Sequence, residues 1–320
     1  MKLGVLTVPL YGMGLADCLA YLKGLGVQTV ELGCGGNPGT GHCDAGELLS
    51  DAGKLAAFKQ TIQDSGLTIG AFSCHGNGVH PNPEIAAKDN EDLENAIRLA
   101  NEMGVGVVNT FSGCPGDSAG SKYPNWVTCA WPDDFLSILD YQWNDVLLPY
   151  WHKKAEFAKS NGVKVAFEMH PGFCVYNTET MLRINKEIGN TLGANFDPSH
   201  LVWQGIDPVA AIRDLSGIIY NVHAKDCRID SINTARNGVL DTKHYSDELH
   251  RSWIFRTVGY GHDTQYWKDI VSALRISGYD GSLSIEHEDS LMSIREGLEK
   301  AVSFLKDVLI FEKSAEMWWA

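Results

Sequence analysis

The stretch "VKVAFEMHP" (residues 163–171) sets the reading of the whole chain. Apart from Lys164 it runs apolar from Val163 to Phe167, rich in β-branched and aromatic side chains. It then ends in Glu168 and is closed by Pro171. A short run that is apolar on both faces fits a strand of a parallel sheet, covered on both sides. The carboxylate at its C-terminal end has no part in that packing. Three later stretches repeat the form: "TLGANFDPSH" (191–200) brings Asp197, "IIYNVHAKD" (218–226) brings His223, and "GSLSIEHED" (281–289) brings Glu286.

Four more runs precede these: "KLGVLTV" (2–8), "VQTVELG" (27–33), "LTIGAFSC" (67–74) and "VGVVNTF" (105–111). The sequence between them carries apolar residues at three- and four-residue spacing and closes several times on glycine, the pattern of amphipathic helices. Eight strands in strict alternation with helices predict an α/β fold, a single-domain (β/α)8 TIM barrel. An open doubly wound sheet is the rival, but nothing along the chain marks a break. The barrel is expected over residues 1–310, with long loops at about 112–150 and 226–268 and a C-terminal tail at 311–320. The second long loop reads as a lid after the seventh strand.

Composition narrows the function. The 320 residues carry a formal net charge of −14, a field that repels phosphate backbones. A nucleic-acid partner is therefore not expected. The 8 cysteines form no C-x-x-C pair and fall mostly in apolar runs, so they read as reduced thiols of a cytoplasmic protein. The N-terminal "MKLGVLTVPLYG" reads as a strand and not as a signal peptide. No apolar run is long enough to span a membrane.

The strand ends of a TIM barrel converge on one face, where active sites form. Glu168, Asp197, His223 and Glu286 would meet there. Three carboxylates cannot sit close together ionised without a cation. Oxygen ligands with one imidazole suit a single divalent ion, Mn²⁺ first, with Mg²⁺, Co²⁺ and Zn²⁺ as alternatives. One Glu or His at a strand end is ordinary; four metal-type residues on consecutive strands are not.

On the stretches "FEMHP", "NFDPSH", "VHAKD" and "SIEHED", the chain resembles the xylose-isomerase-like sugar phosphate isomerase/epimerase superfamily, over essentially the whole barrel. That group includes ketose 3-epimerases, inosose isomerases and dehydratases, C-glycoside deglycosidases and a branch of apurinic endonucleases. The resemblance implies that Glu168, Asp197, His223 and Glu286 hold the metal and that His200 joins the catalytic group, touching substrate or metal-bound water. It implies a sugar or cyclitol isomerase or epimerase that abstracts a proton next to a carbonyl through a metal-stabilised ene-diolate. Glu168 and Glu286 would then exchange the proton on opposite faces of the substrate. The same first step serves a lyase, deglycosidase or dehydratase acting on 3-oxo-glycosides or inososes, and only the leaving group differs. A homo-oligomer or a small partner subunit is compatible with the family. An apurinic-type endonuclease is opposed by the acidity, and a non-catalytic sugar-binding barrel by the intact ligand set.

Further substrate contacts are expected from His75 and Asn77 after the third strand, His170 after the fifth, Lys225 in "HAKD", and Arg256 in the lid. Gly259 and Gly261 suit a mobile turn there. Trp126 and Trp131 lie in the first long loop; Trp131 is read as a stacking platform and Trp126 as loop packing. A surface position competes for Lys225, and local loop bonding for His80. No phosphate cradle of the GxxxxGK[ST] type is present, which favours a non-phosphorylated sugar, cyclitol or glycoside.

The glycine run "VELGCGGNPGTGHC" (30–43) imitates a nucleotide-binding loop. It follows the second strand instead of the first, does not lead directly into a helix, and the next strand ends without an acid. It is read as a flexible rim of the active face, with Glu31 as a substrate contact.

Overall fold

The computed structural model describes residues 1–320. Eight parallel strands close a barrel: β1 (Lys2–Leu6), β2 (Thr29–Gly33), β3 (Thr68–Ser73), β4 (Val107–Thr110), β5 (Lys164–Glu168), β6 (Leu192–Phe196), β7 (Ile219–Ala224) and, last in the chain, β10 (Ser282–Ile285). The order around the barrel is β1-β10-β7-β6-β5-β4-β3-β2, so chain neighbours are barrel neighbours and β10 closes on β1. The strands are short and buried on both faces, as their unbroken apolar runs predict. The register brings the functional ends level: Glu168 of β5 pairs with Asn195 of β6, and His223 of β7 with Ser284 of β10.

Helices from Leu15–Gly24 to Ile294–Val308 surround the barrel and turn their apolar stripes inward. Their starts follow local chemistry. Asn82 caps Pro83–Met103 and Asp207 caps Pro208–Asp214, each with proline at the first helical position. Gly104, at φ 67°, ends the former in the left-handed conformation.

The two long loops carry regular structure of their own. The first contains helix from Asp134 onward, continued through a π-helical segment, Tyr141–Leu147, into Leu148–Ser160. The lid contains an antiparallel hairpin outside the barrel, β8 (Asp226–Ile229) with β9 (Trp253–Arg256), and a short helix, Ser231–Asn237. Trp203, Cys227, Trp253 and Phe255 form a small separate core beneath it. Asp226 builds this lid: its carboxylate accepts hydrogen bonds from the backbone N–H of Gly259 (3.0 Å), Gly261 (3.1 Å) and His262 (3.0 Å). A Cβ on Gly261 would sit 2.3 Å from Asp226 Oδ1. The glycines expected to form a mobile turn are therefore pinned, and glycine is required there by close approach.

All eight cysteines are unpaired, seven of them buried. No helix is long and apolar enough to cross a membrane. The tail is tied at its root, where Arg275 donates to the carbonyls of Ile310 (2.6 Å) and Glu312 (3.1 Å), and its side chains beyond are exposed.

Candidate metal and substrate site

The four expected ligand residues meet. One ligand atom each from Glu168, Asp197, His223 and Glu286 lies within 4.8 Å of the others. His223 Nδ1 is 3.2 Å from Glu168 Oε2 and 3.0 Å from Glu286 Oε2. Asp197 gets its aim from the local sequence "DPSH". It caps the short helix Pro198–Val202 by accepting the Ser199 N–H at Oδ1 (2.8 Å), which leaves Oδ2 for the site. The same turn returns His200 Nε2 to 3.3 Å from Asp197 Oδ2 and 3.1 Å from Glu168 Oε1.

Burial opposes every one of these charges, and the neighbours decide the result. At Glu168 the burial penalty is outweighed by His75, His200 and His223, and its carboxyl is held well below the usual range. At Glu286 Lys225 and His223 do the same. At Asp197 burial wins over Lys225, with Glu168 and Glu286 adding repulsion, and the carboxyl is pushed up to about 7. Burial holds His200 neutral, its imidazole lowered to about 3.

The donor set fits a divalent cation. Asp197 Oδ2, His75 Nε2 and His200 Nε2 are buried and make no properly directed hydrogen bond, although charged neighbours stand close to each. Buried polar atoms are normally satisfied, so three orphans around one carboxylate cluster point to a group they would contact. Glu168, His170 and His200 form a second close set that shares Glu168 with the first.

Glu31 is not a substrate contact. It is fully buried in the barrel interior and is not among the residues that wall the cavity over the four ligands. Its Oε1 accepts from His223 Nε2 (2.7 Å), Asn109 Nδ2 (2.8 Å) and the Ser73 hydroxyl, and its Oε2 from Asn221 Nδ2 (3.0 Å). This leaves His223 Nδ1 turned toward Glu168 and Glu286. A carboxylate behind a ligand histidine fixes its tautomer and orientation. Burial raises the Glu31 carboxyl, but His223 and the hydrogen bonds outweigh it and hold it at about 2.

Lys225 is not a surface lysine. It is buried, with Nζ 3.1 Å from Asp197 Oδ2, 3.0 Å from Glu286 Oε2 and 3.1 Å from Glu288 Oε2. Above the cluster lies a cavity of about 260 Å³. Its walls include the expected His75, Glu168, His170, Lys225 and Glu286. They also include Asn37, Phe111 and Glu288, which the sequence reading missed. Phe111 directly follows β4 and Glu288 follows Glu286 by two, so the strand-end rule applied to every strand would have found both.

Three expected contacts lie elsewhere. Asn77 is buried between loops, donating to the Cys114 carbonyl (2.9 Å) and accepting from its N–H (3.1 Å). Arg256 is held by Asp289, Nε to Oδ2 at 3.0 Å, and does not line the cavity. Trp131 is 76% exposed and lines no cavity described here. Outside that set, Trp126 packs edge-on against Tyr176, and His80 accepts the N–H of Asn82 within its own loop.

The glycine run is a rim, and a tight one. Gly36 has φ 61°, and a Cβ there would sit 2.3 Å from the His75 carbonyl oxygen. Asn37 donates to that same oxygen at 2.7 Å and lines the cavity. The glycines let this loop lie against the turn that carries His75.

A closed parallel barrel gathers carboxylates and histidines at its strand ends, a TIM-barrel site that could hold a metal ion. Residues 19–308 match the family model of the xylose isomerase-like TIM barrel, and the chain belongs to that family. It is 38% identical to protein YfiH of Bacillus subtilis (strain 168) over 312 residues, 97% of this chain and 99% of that one. It is 26% identical to the inosose dehydratase of Geobacillus thermodenitrificans (strain NG80-2) over 145 residues, 45% of this chain and 47% of that one. The crystal structure of a D-tagatose 3-epimerase-like protein superposes with a TM-score of 0.64 at 21% identity, covering 96% of this chain and 97% of that one. The last likeness is one of fold.

Proposed function

We propose that this protein is a divalent-metal-dependent enzyme that moves a proton next to the carbonyl of a sugar or cyclitol, acting as an isomerase or epimerase. The observation that carries the reading is the gathering of Glu168, Asp197, His223 and Glu286 beneath a small polar cavity. At about 260 Å³ that cavity is below the usual range for drug-sized ligands and suits a single polyol ring. Glu168, Asp197, His223 and Glu286 would hold a divalent ion, Mn²⁺ first, which would supply Lewis-acid charge at the site.

The protein's own groups handle the proton. Glu168 ends β5 and Glu286 directly follows β10, with β6 and β7 between the two strands. Both are held ionised, so each can accept a proton at a carboxylate oxygen at neutral pH. One takes the proton from the carbon and the other returns it to the opposite face. Lys225 holds Glu286 in place and offsets the charge of Glu288. His75, on the cavity wall, offers a hydrogen bond to the hydroxyls, and neutral His200 stands 3.1 Å from Glu168. Likeness to an inosose dehydratase supports a second reading, elimination of a hydroxyl after the same proton abstraction.

The test is incubation with Mn²⁺ in deuterated water with a panel of free ketoses and inososes, read by NMR. Deuterium uptake at a single carbon is expected. The product then distinguishes a new epimer from a dehydrated ketone. No exchange with any ketose or inosose refutes the reading.

A further inference from the structure

A second cavity, of about 390 Å³, lies beside the first and is lined by His170, Tyr245, Phe255 and Glu288. His170 and Glu288 belong to both, so the two meet across those side chains. Their chemistry differs. The first is walled mainly by carboxylates, histidines and a lysine, with Phe111 beside them; the second sets two aromatic rings, Tyr245 and Phe255, against His170 and Glu288.

The aromatic wall is built and not incidental. Phe255 belongs to the small core under the hairpin, 5.3 Å from the His200 ring, with Lys225 Nζ 4.6 Å above its face. Tyr245 lies nearly parallel to Phe255, 5.7 Å between centroids at 19°. The Arg251 guanidinium packs 4.4 Å from the Tyr245 ring, and its Nε donates to the Trp253 carbonyl at 3.2 Å. Asp241 holds the same loop by accepting the N–H of Lys243 (2.9 Å) and of Ser252 (2.7 Å). Yet Tyr245 remains 51% exposed, a large ring held in place with half its surface in water beside the candidate site. Preorganised aromatic surface at a cleft is the usual device for gripping a ring.

We infer that the substrate has two rings, a polyol ring over the carboxylates and a second ring, with an apolar face, against Tyr245 and Phe255. The inference rests on the proposal that the first cavity holds a sugar or cyclitol. The second ring carries no anionic group, because Glu288 on the cavity wall repels one, and Glu288 can accept a hydrogen bond from a hydroxyl on it. An aryl group and the C–H face of a second sugar share this chemistry.

The test is binding without turnover. Methyl β-glucoside, phenyl β-glucoside and cellobiose are titrated calorimetrically against the Mn²⁺-supplemented protein and against Tyr245→Ala and Tyr245→Phe. Packing of one ring on a prepared aromatic surface predicts about tenfold tighter binding of phenyl β-glucoside, or of cellobiose if the second ring is a sugar, than of methyl β-glucoside. Tyr245→Ala, a half-exposed position, removes that advantage and Tyr245→Phe keeps it. Equal binding of all three, no measurable binding, or an advantage that survives Tyr245→Ala overturns the inference. Deuterium exchange on single-ring ketoses and inososes does not involve Tyr245. It fails if the catalytic reading is wrong while the ring advantage can still be present, and it persists if only the second subsite is wrong.

Discussion

Replacing Glu31 by glutamine should damage the site without touching any group that faces the cavity. The carboxylate accepts four hydrogen bonds, from His223, Asn109, Ser73 and Asn221. A glutamine has one accepting oxygen, and its NH₂ must face a donor whichever way it turns. If it replaces Oε2 it meets Asn221 Nδ2. That amide cannot rotate freely, because the same nitrogen also donates to Asn195 Oδ1 at 3.0 Å. Holding the carboxyl at about 2 instead of 4.5 is worth about 3 kcal/mol at neutral pH. That agrees with the 3–5 kcal/mol typical of breaking a buried charge pair. The pH window follows from the signs. Glu31 is depressed, so its contribution is present above about 4.5 and is lost as pH falls toward 2. His223 is raised by Glu31 and Glu286 against its burial, so its contribution is full below about 6.5 and is lost as pH rises through its raised value. In the metal-free protein the pair stabilises most between those limits. The assay is urea and thermal unfolding of metal-free Glu31→Gln from pH 3 to 8, with calorimetric titration of Mn²⁺. The variant should melt about 4–5 °C lower near pH 6. It should also bind the ion about 10- to 100-fold more weakly, because the tautomer and aim of His223 are no longer fixed. Wild-type stability together with wild-type Mn²⁺ affinity would refute the assignment of Glu31 as the support of His223.

Three further outcomes are expected. Glu168→Gln and Glu286→Gln should each lower deuterium exchange by about 10²–10⁴-fold with unchanged circular dichroism, and full activity in both would remove them from the proton transfer. The purified protein should hold about one equivalent of a divalent ion by elemental analysis; chelation should lower the unfolding temperature and added Mn²⁺ restore it, whereas a metal-free protein with full activity would contradict the site. Gly36→Ala forces a side chain into the left-handed region and against the His75 carbonyl, so it should cost about 1–3 kcal/mol in urea unfolding, and a neutral result would show that this rim loop is not packed as described.

The barrel was legible because its signal repeats. Eight short strands, apolar on both faces and alternating with amphipathic helices, have one economical closure. Four ligand-type residues at the last four strand ends then had to converge, since parallel strands end on one face. The lid hairpin was hidden because its four-residue strands sit in polar sequence, and their pairing is fixed by Asp226 gripping residues 259–262, more than thirty positions away. Arg256 and Asn77 looked free because their partners, Asp289 and Cys114, are also distant in the chain.

The sequence alone determined the barrel, its acidic strand ends and the exclusion of a nucleotide loop at the glycine run, for these follow from local pattern and from the direction shared by parallel strands. Depth was decided only by the tertiary structure. Glu31 and Glu168 read alike as carboxylates at the ends of apolar strands. Yet Glu168 is the last residue of β5 and opens onto the cavity, while Glu31 is the third of five in β2 and lies beneath His223. Which carboxylate faces substrate and which supports a ligand depends on how far each strand is offset along the barrel axis. That offset is set by pairing and closure of the whole sheet, and no single strand encodes it.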